Sequence, residues 1–418
     1  MKRYYKNILL ATAAIMAAVG CEKQPQYGEL TDTPIMLSAT ETGTKAMLDN
    51  GTFKTTGNRI KVYDFVTDAD KTTKHIDSYA GPDVVSNSPL HEQGYTWPFT
   101  DEIDGTQADV KQWVPGTHKF FGWLAKDANM SADNTPETFF GTGFTFSEDD
   151  KILNIPSKQM MPTTPQFDFL YSNIITSEPQ NAPVQLEFRH LFAAYFISFS
   201  NNSPEPLELE NVKLNIKSNA SATLGYSGAS LPTINIAFEN TQPTIEKTYN
   251  SSVGAGKTID VLISGNELDS EITSDNYRLT WPQDLKDATI DITFTAKVSI
   301  PFYRYNAKGG PYNVYSAEEV TGGSYTWNGS YYVFAGKGKG THNVLFQHDA
   351  RGVYEEVIPE ATEQEIKRSI SLASVTKEGK WQGGYKYNYN LSFSNDDVDM
   401  KCVVMKWDGG HGGNITFE

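Results

Sequence analysis

Short runs of alternating polar and apolar residues recur along this 418-residue chain. Successive side chains of a β-strand point to opposite faces, so an alternating run predicts a strand with one buried face. The runs are short and are separated by Gly, Pro, Asn, Asp and Ser, a pattern typical of β-sandwiches and barrels. The clearest alternating runs cover residues 60–65, 186–188, 207–209, 212–216, 234–238, 290–294 and 385–393. The sequence therefore predicts an all-β fold.

Two segments depart from this alternation. Glu360–Ile370 follows Pro359 and has the composition of a short helix, for which we expect at most a turn or two. Ser172–Pro183 shows little periodicity, and near-continuous strand patterning begins at Val184. We place a domain boundary there, which predicts one β-domain over residues 33–183 and a second over residues 184–418.

The N-terminus carries the most specific signal in the sequence. A basic start precedes an apolar run from Ile8 to Gly20, and Cys21 follows directly. Such a start is typical of a secretory signal peptide, and the run is shorter than the roughly 20 residues that cross a bilayer. The small residues directly before Cys21 are typical of a bacterial lipobox. We therefore predict a signal peptide over residues 1–20 and a fatty acid such as palmitate on Cys21.

Residues 21–32 are polar and contain Pro and Gly, which predicts a lipid-anchored tether. Each buried methylene of an acyl chain contributes about 0.8 kcal/mol, so several chains together give stable anchoring. We expect a surface-exposed lipoprotein of the cell outer membrane.

Composition limits the partners of the chain. It has 35 Lys and Arg against 51 Asp and Glu, for a formal net charge of −16. Nucleic-acid binding depends on clustered positive charge, so we expect no nucleic-acid partner. With Cys21 lipidated, Cys402 has no partner for an intramolecular disulfide. Its apolar, strand-like surroundings predict a small buried side chain rather than a reactive thiol.

The motifs of common active sites are missing from the sequence. None of the seven histidines belongs to a helical i, i+4 pair or an HExxH motif, so we predict no metal site. The acidic segment 395–399 lacks the Gly and the distal Glu of an EF-hand loop, and we interpret it as a solvated turn. The glycine-rich residues 336–340 lack the spacing of a phosphate-binding loop. We expect neither an enzyme nor a cofactor.

Aromatic residues, at 12% of the chain, leave a second function open. Exposed aromatic rings can form a platform for sugars. Most of the seven tryptophans lie in strand patterns and are expected in the core, whereas the turn-rich segment Tyr325–Tyr332 is the best candidate for exposure. A surface glycan-binding lipoprotein that never polymerises is therefore the alternative.

Several segments, in this order and spacing, resemble the fimbrillin family of Bacteroidia, whose members are lipoprotein-precursor subunits of type V fimbriae. The segments are 44–46, 53–63, 167–171, 184–196, 381–391 and 400–407, and they span nearly the whole mature chain. The resemblance implies two tandem transthyretin-like β-sandwich domains in a structural fimbrial subunit or adhesin. Its partners would be other fimbrial subunits, the outer membrane and a host glycan or protein. Stalk, anchor and tip positions all remain open.

The resemblance also implies assembly by strand exchange. In such subunits a protease cuts after a basic residue and removes the first strand, and a neighbour's strand fills the exposed groove. The first strand would lie near Ile35–Ala39, with cleavage near Lys45 or Arg59. The family usually has Arg where this chain has Lys45. The implied donor is the C-terminal strand with Val398, Met400, Cys402, Val404 and Trp407, together with the segment Ile415–Phe417.

Overall fold

The structure is a computed structural model. It describes residues 33–41, 53–54, 56–82, 84, 97–130, 134–162, 166–262, 277–298, 302–307, 313–316, 324–327, 332–335, 352–357, 361–394 and 397–406. Between residues 302 and 357 only the backbone is described. None of the helices in these ranges is long and apolar enough to cross a membrane.

Regular structure in the described residues is almost entirely β, which confirms the predicted fold class. The strands are β1 (Leu37–Glu41), β2 (Arg59–Asp68), β3 (Lys71–Ala80), β4 (Phe99–Thr100), β5 (Thr117–Lys126), β6 (Thr145–Ser147), β7 (Ile152–Gln159), β8 (Leu170–Ser172), β9 (Ile175–Ser177), β10 (Val184–His190), β11 (Ala193–Asn201), β12 (Leu207–Asn215), β13 (Asn219–Gly225), β14 (Thr233–Phe238), β15 (Ile245–Val253), β16 (Thr258–Asp260), β17 (Arg278–Thr280), β18 (Gln283–Asp284), β19 (Thr289–Val298), β20 (Phe302–Ala307), β21 (Asn313–Ser316), β22 (Ser324–Trp327), β23 (Tyr332–Ala335), β24 (Gly352–Val357), β25 (Thr362–Ser371), β26 (Lys380–Trp381), β27 (Tyr385–Ser394) and β28 (Asp397–Lys406). The helices are α1 (Pro136–Phe140) and α2 (Leu372–Val375), with a short 3₁₀ turn at Lys377–Gly379.

Two sheets enclose a first hydrophobic core. One has the strand order β1-β10-β8-β5-β2-β3-β4, with β9 added beside β5, and the other has the order β14-β13-β7-β6. Val62 and Leu186 from the first sheet belong to the same buried cluster as Leu153 and Leu224 from the second. Two sheets around a shared core form a β-sandwich.

A second core lies between two further sheets. Their strand orders are β16-β11-β27-β28, with β17 added beside β11, and β15-β12-β19-β25. Phe199 and Leu391 from the first of these sheets share a buried cluster with Val212 and Phe294 from the second. The described residues therefore contain two sandwiches.

Strand β11 contributes to both cores. Ala194 and Phe196 belong to the first core, whereas Tyr195 and Ile197 belong to the second. A strand that is buried on both faces needs apolar residues at successive positions rather than alternating ones. This requirement explains the unbroken apolar run from Leu191 to Ile197.

The first sandwich includes strands from both sides of residue 184. Strand β10 begins at Val184 and pairs with β1 and β8. Further along the chain, β13 pairs antiparallel with β7, and β14 continues that sheet. The boundary at residue 184 remains a prediction, but residues 184–190 and 219–238 complete the first sandwich.

The prediction of a short helix over Glu360–Ile370 was wrong, because residues 362–371 form a strand. Strand β25 pairs antiparallel with β19 over ten residue pairs, from Thr289 opposite Ser371 to Val298 opposite Thr362. Its Ile366 is buried in the second core. The helix-favouring Glu, Gln and Lys residues express only a weak local preference, which the pairing with β19 and the burial of Ile366 override.

Candidate strand-exchange site

The first described strand lies at one end of a sheet. β1 pairs parallel with β10, with Leu37 opposite Val184 and Ala39 opposite Leu186. In the described strand order it is the terminal strand, so its backbone is paired along one edge. It can therefore leave the sheet without separating any other pair of strands.

Side chains of this first segment are buried in the first core. Leu37 is 2% exposed and Ala39 is 0% exposed, and Ile35 just before the strand is also buried in the cluster. Burying a large apolar side chain contributes about 1.5–3 kcal/mol. Removal of the segment would take Ile35, Leu37 and Ala39 out of the first core and would unpair the edge of β10.

Backbone hydrogen bonds hold the residues before β1 in place. The Ile35 amide donates to the Lys111 carbonyl at 2.7 Å, and the Trp113 amide donates to the Thr33 carbonyl at 2.9 Å. The Val184 amide donates to the Met36 carbonyl at 2.8 Å. Residues 33–36 thus run beside residues 111–113 before the chain passes to β10.

The predicted donor strand is part of the second sandwich. β28 pairs antiparallel with β27 over ten residue pairs and is the last strand of its sheet in the described part of the chain. Val398, Met400 and Val404 are buried in the second core, and the half-buried Cys402 packs against it. Donation of β28 would therefore cost the chain both this pairing and this burial.

Cys402 has the surroundings of an unreactive thiol. Burial raises the pKa of Cys402 to about 12, and hydrogen bonds with Tyr389 and Thr376 oppose this rise only in part. Because the thiolate is the nucleophile, a thiol with so high a pKa reacts slowly near neutral pH. Cys402 is therefore half-buried rather than fully buried as predicted, and its surroundings favour an unreactive thiol.

Arg59, one of the two candidate processing residues, is buried. It begins β2 opposite Lys126 and is 3% exposed. Its guanidinium donates to the carbonyls of Asn58 at 2.8 Å and Gly105 at 3.1 Å. A protease would have to separate β2 from β5 to reach this bond. Lys45, the other candidate, lies outside the described residues.

Other predicted site residues also lie outside the described part of the chain. Cys21 and Trp407 are among them, as are the signal peptide, the tether and Ile415–Phe417. For the aromatic segment, the structure describes only the backbone of the antiparallel pair β22 and β23. Five tryptophans are buried as expected: Trp97, Trp113, Trp123, Trp281 and Trp381.

Three residues that sequence patterns did not connect come together in the first sandwich. Asp64 on β2, His75 on β3 and His118 on β5 place their ligand atoms within 4.8 Å of one another. No metal site was predicted from the sequence because these three residues belong to no recognisable motif. The one local signal is Asp64 itself, a carboxylate between the apolar residues Tyr63 and Phe65.

No family model and no curated protein matches the chain. Solved structures do show a distant similarity to it. A fimbrial protein from Bacteroides vulgatus is 12% identical, with 89% of this chain and 99% of that chain covered and a TM-score of 0.42. A fimbrial assembly protein from Parabacteroides distasonis is 10% identical, with 89% and 96% covered and a TM-score of 0.33.

A tip fimbrial protein from Porphyromonas gingivalis, solved with a C-terminal truncation, is 10% identical. The match covers 88% of this chain and 98% of that chain, with a TM-score of 0.27. Similarities this low do not transfer a property of those proteins to this chain.

Proposed function

We propose that this chain is a structural subunit of a cell-surface fimbria, or a fimbrillin-like adhesin, that is exported as a lipoprotein and assembled by strand exchange. The position of β1 carries the proposal. This strand lies at the end of its sheet, contributes Leu37 and Ala39 to the core and ends at Glu41. Cleavage after Lys45 would leave the whole strand attached by non-covalent contacts alone.

The vacated edge of β10 has the two properties that strand addition needs. Its backbone groups that now pair with β1 would be free to bond to an incoming strand. Its Val184, Leu186 and Phe188 are all buried in the first core and would offer an apolar surface to alternate side chains of that strand. Backbone pairing would supply affinity, and the fit of the side chains would supply specificity.

The donor is better sought after β28 than within it. Val398, Met400 and Val404 would lose their place in the second core if β28 were donated. At about 1.5–3 kcal/mol for each large apolar side chain, this loss is comparable to the whole stability of a domain, about 5–15 kcal/mol. Residues 407–418 follow β28 and contain the alternating segment Ile415–Phe417. We take this segment as the first donor to test.

Processing is tested by replacing the proposed cleavage residue. Lys45→Ala should leave β1 in place and prevent polymers, whereas Lys54→Ala, at an exposed lysine nearby, should assemble normally. N-terminal sequencing of wild-type polymers should find Ala46. If heat-resistant polymers contain subunits that retain residues 33–41, the proposal that β1 is lost on assembly is wrong.

Two truncations separate the candidate donors. A chain that ends at Lys406 keeps β28 and should remain a stable monomer that cannot polymerise. A chain that ends at Ser394 also loses β28 and should show a lower unfolding temperature because the second core is opened. If the Lys406 truncation still polymerises, residues 407–418 are not the donor and β28 becomes the candidate.

Lipoprotein export rests on the lipobox-like run that ends at Cys21. Cys21→Ala should abolish incorporation of a labelled fatty acid and retention in the outer membrane. Unchanged labelling of the variant would contradict the proposed anchor. The glycan-binding alternative was placed on Tyr325–Tyr332, whose side chains lie outside the described residues, and the tryptophan side chains that the structure does describe are buried.

A further inference from the structure

A buried carboxylate on the central part of the first sheet faces two imidazole rings. Asp64 Oδ2 lies 2.6 Å from His118 Nδ1 and 2.9 Å from His75 Nδ1. The side chains of Asp64 and His118 are 0% exposed, and that of His75 is 21% exposed. The three residues lie on the adjacent strands β2, β3 and β5.

The hydrogen bonds of His118 require a cation beside Asp64. His118 Nε2 lies 2.9 Å from the Val114 carbonyl oxygen, which can only accept, so this nitrogen carries a hydrogen. In a neutral ring, Nδ1 would then present a lone pair to the carboxylate oxygen 2.6 Å away. Two acceptors at this distance repel each other unless a proton or a metal ion lies between them.

The other carboxylate oxygen of Asp64, Oδ1, is buried and also lacks a hydrogen-bond partner among the described residues. The adjacent surroundings are apolar, because Trp113 packs edge-on against the His118 ring at 4.7 Å and Phe120 stacks on that ring at 5.7 Å. A buried carboxylate with an unpaired oxygen is costly in such surroundings, and a bound cation would reduce that cost.

A β-bulge brings His75 to the carboxylate. In the pairing of β2 with β3, Asp64 lies opposite Ile76 and Phe65 lies opposite Lys74, so His75 is the extra residue. Bulges redirect side chains and are common beside functional sites. The bulge therefore adds a third possible ligand to a pair that β2 and β5 already form.

We propose that Asp64, His75 and His118 bind a divalent transition-metal ion, with Zn²⁺ as the best match to two imidazole nitrogens and one carboxylate. Imidazole ligands favour Zn²⁺ and its neighbours over Ca²⁺ and Mg²⁺. The bond from His118 Nε2 to the Val114 carbonyl is the kind of second interaction that orients a metal-ligating histidine. A water molecule on the partly exposed side of His75 would complete a tetrahedral site. This proposal is independent of the fimbrial one.

The geometry requires only a small adjustment. Zinc–nitrogen bonds of about 2.0–2.1 Å place tetrahedral ligand atoms about 3.3 Å apart. The present separations of 2.6 and 2.9 Å are those of hydrogen bonds, so the His118 ring must move back from Asp64 by about 0.7 Å and the His75 ring by about 0.4 Å. The bound ion would join β2, β3 and β5 and should raise the unfolding temperature.

The test is a zinc titration of the full chain, purified without a polyhistidine tag and freed of metal. Isothermal calorimetry should find one ion per chain, and the unfolding temperature should rise on saturation. His75→Gln keeps an N–H group for Asp64 but removes the imidazole ligand. It should weaken zinc binding at least about tenfold, since even the loss of a second-shell partner costs that much. Co²⁺ in the wild-type chain should give the visible absorption of a tetrahedral site.

A matched control is available in the same sandwich. His190 Nδ1 lies 2.9 and 3.0 Å from the two carboxylate oxygens of Asp168, in a buried pair that does not belong to the three-residue group. His190→Gln should therefore bind zinc as the wild type does, and unfolding curves without metal will show whether each variant is folded. Equal zinc affinity in the wild type and His75→Gln would overturn the proposed site. An absence of saturable zinc binding and of a Co²⁺ spectrum would also overturn it and would show that only a proton lies between Asp64 and His118.

Discussion

Replacing Leu37 with alanine should weaken the unprocessed chain and leave the assembled polymer unchanged. Leu37 is 2% exposed and packs in the first core, whereas cleavage after Lys45 would remove it from the mature subunit. The same substitution should therefore destabilise the chain before processing and have no effect after it. This contrast tests both the packing of β1 and its loss on assembly.

The size of the effect follows from the burial of the side chain. Leu→Ala in a protein core costs about 2–5 kcal/mol, which includes the cavity that remains. We expect the lower part of this range, about 2–3 kcal/mol, because β1 lies at the end of its sheet and can adjust. A domain of 150–250 residues loses about 2–4 °C per kcal/mol, so the unfolding temperature should fall by about 4–12 °C.

The assay is denaturant and thermal unfolding of the unprocessed chain, with Lys45→Ala in the background to keep β1 attached. Ser38→Ala is the control, because the half-buried Ser38 lies between two core positions and its replacement should change stability by no more than about 0.5 kcal/mol. Polymers grown from the Leu37→Ala precursor with Lys45 intact should dissociate at the wild-type temperature. A loss below about 0.5 kcal/mol in the precursor would refute the packing of Leu37. Less stable polymers that still contain residue 37 would refute the removal of β1.

Three further predictions concern the rest of the fold. In a chain whose Cys21 is replaced, a thiol reagent at pH 8 should modify Cys402 within minutes only after unfolding, because burial raises the pKa of Cys402 to about 12. Equally fast reaction of Cys402 in the folded chain would contradict this prediction. Burial alone would raise the pKa of Asp77, but hydrogen bonds from two lysines lower it below its usual value of 3.8. The ionised form of Asp77 therefore stabilises the fold above about pH 4. The difference in unfolding free energy between the wild type and Asp77→Asn should shrink as the pH falls below that value. A difference that stays constant down to about pH 2 would contradict this prediction. Gly122→Ala should cost at least about 1–3 kcal/mol, because a Cβ there would lie 2.1 Å from the Lys61 carbonyl oxygen, whereas Gly225→Ala, whose nearest contact is 3.9 Å away, should cost less in the same unfolding assay.

Local patterns in the sequence predicted the strands well where one face is buried. The run at 385–393 became β27, with Tyr387, Tyr389 and Leu391 in the second core, and the run at 290–294 became part of β19. Alternation is sufficient here because the two faces of a strand are set by the backbone of that strand alone. The signal peptide and the lipid attachment at Cys21 are likewise predictions from local residue order.

Only the tertiary structure decided which strands pair and which distant side chains come together. Strand β25 forms from helix-favouring residues because it pairs with β19 over ten residue pairs. Strands β13 and β14 belong to the first sandwich because β13 pairs with β7. The burial of Val398 and Met400 depends on where β28 pairs, which their alternation alone could not decide. Asp64, His75 and His118 meet only because three strands align and a bulge shifts one register. Alternation specifies which face of a strand is apolar, but strand partners and register depend on contacts between residues that are far apart in the chain.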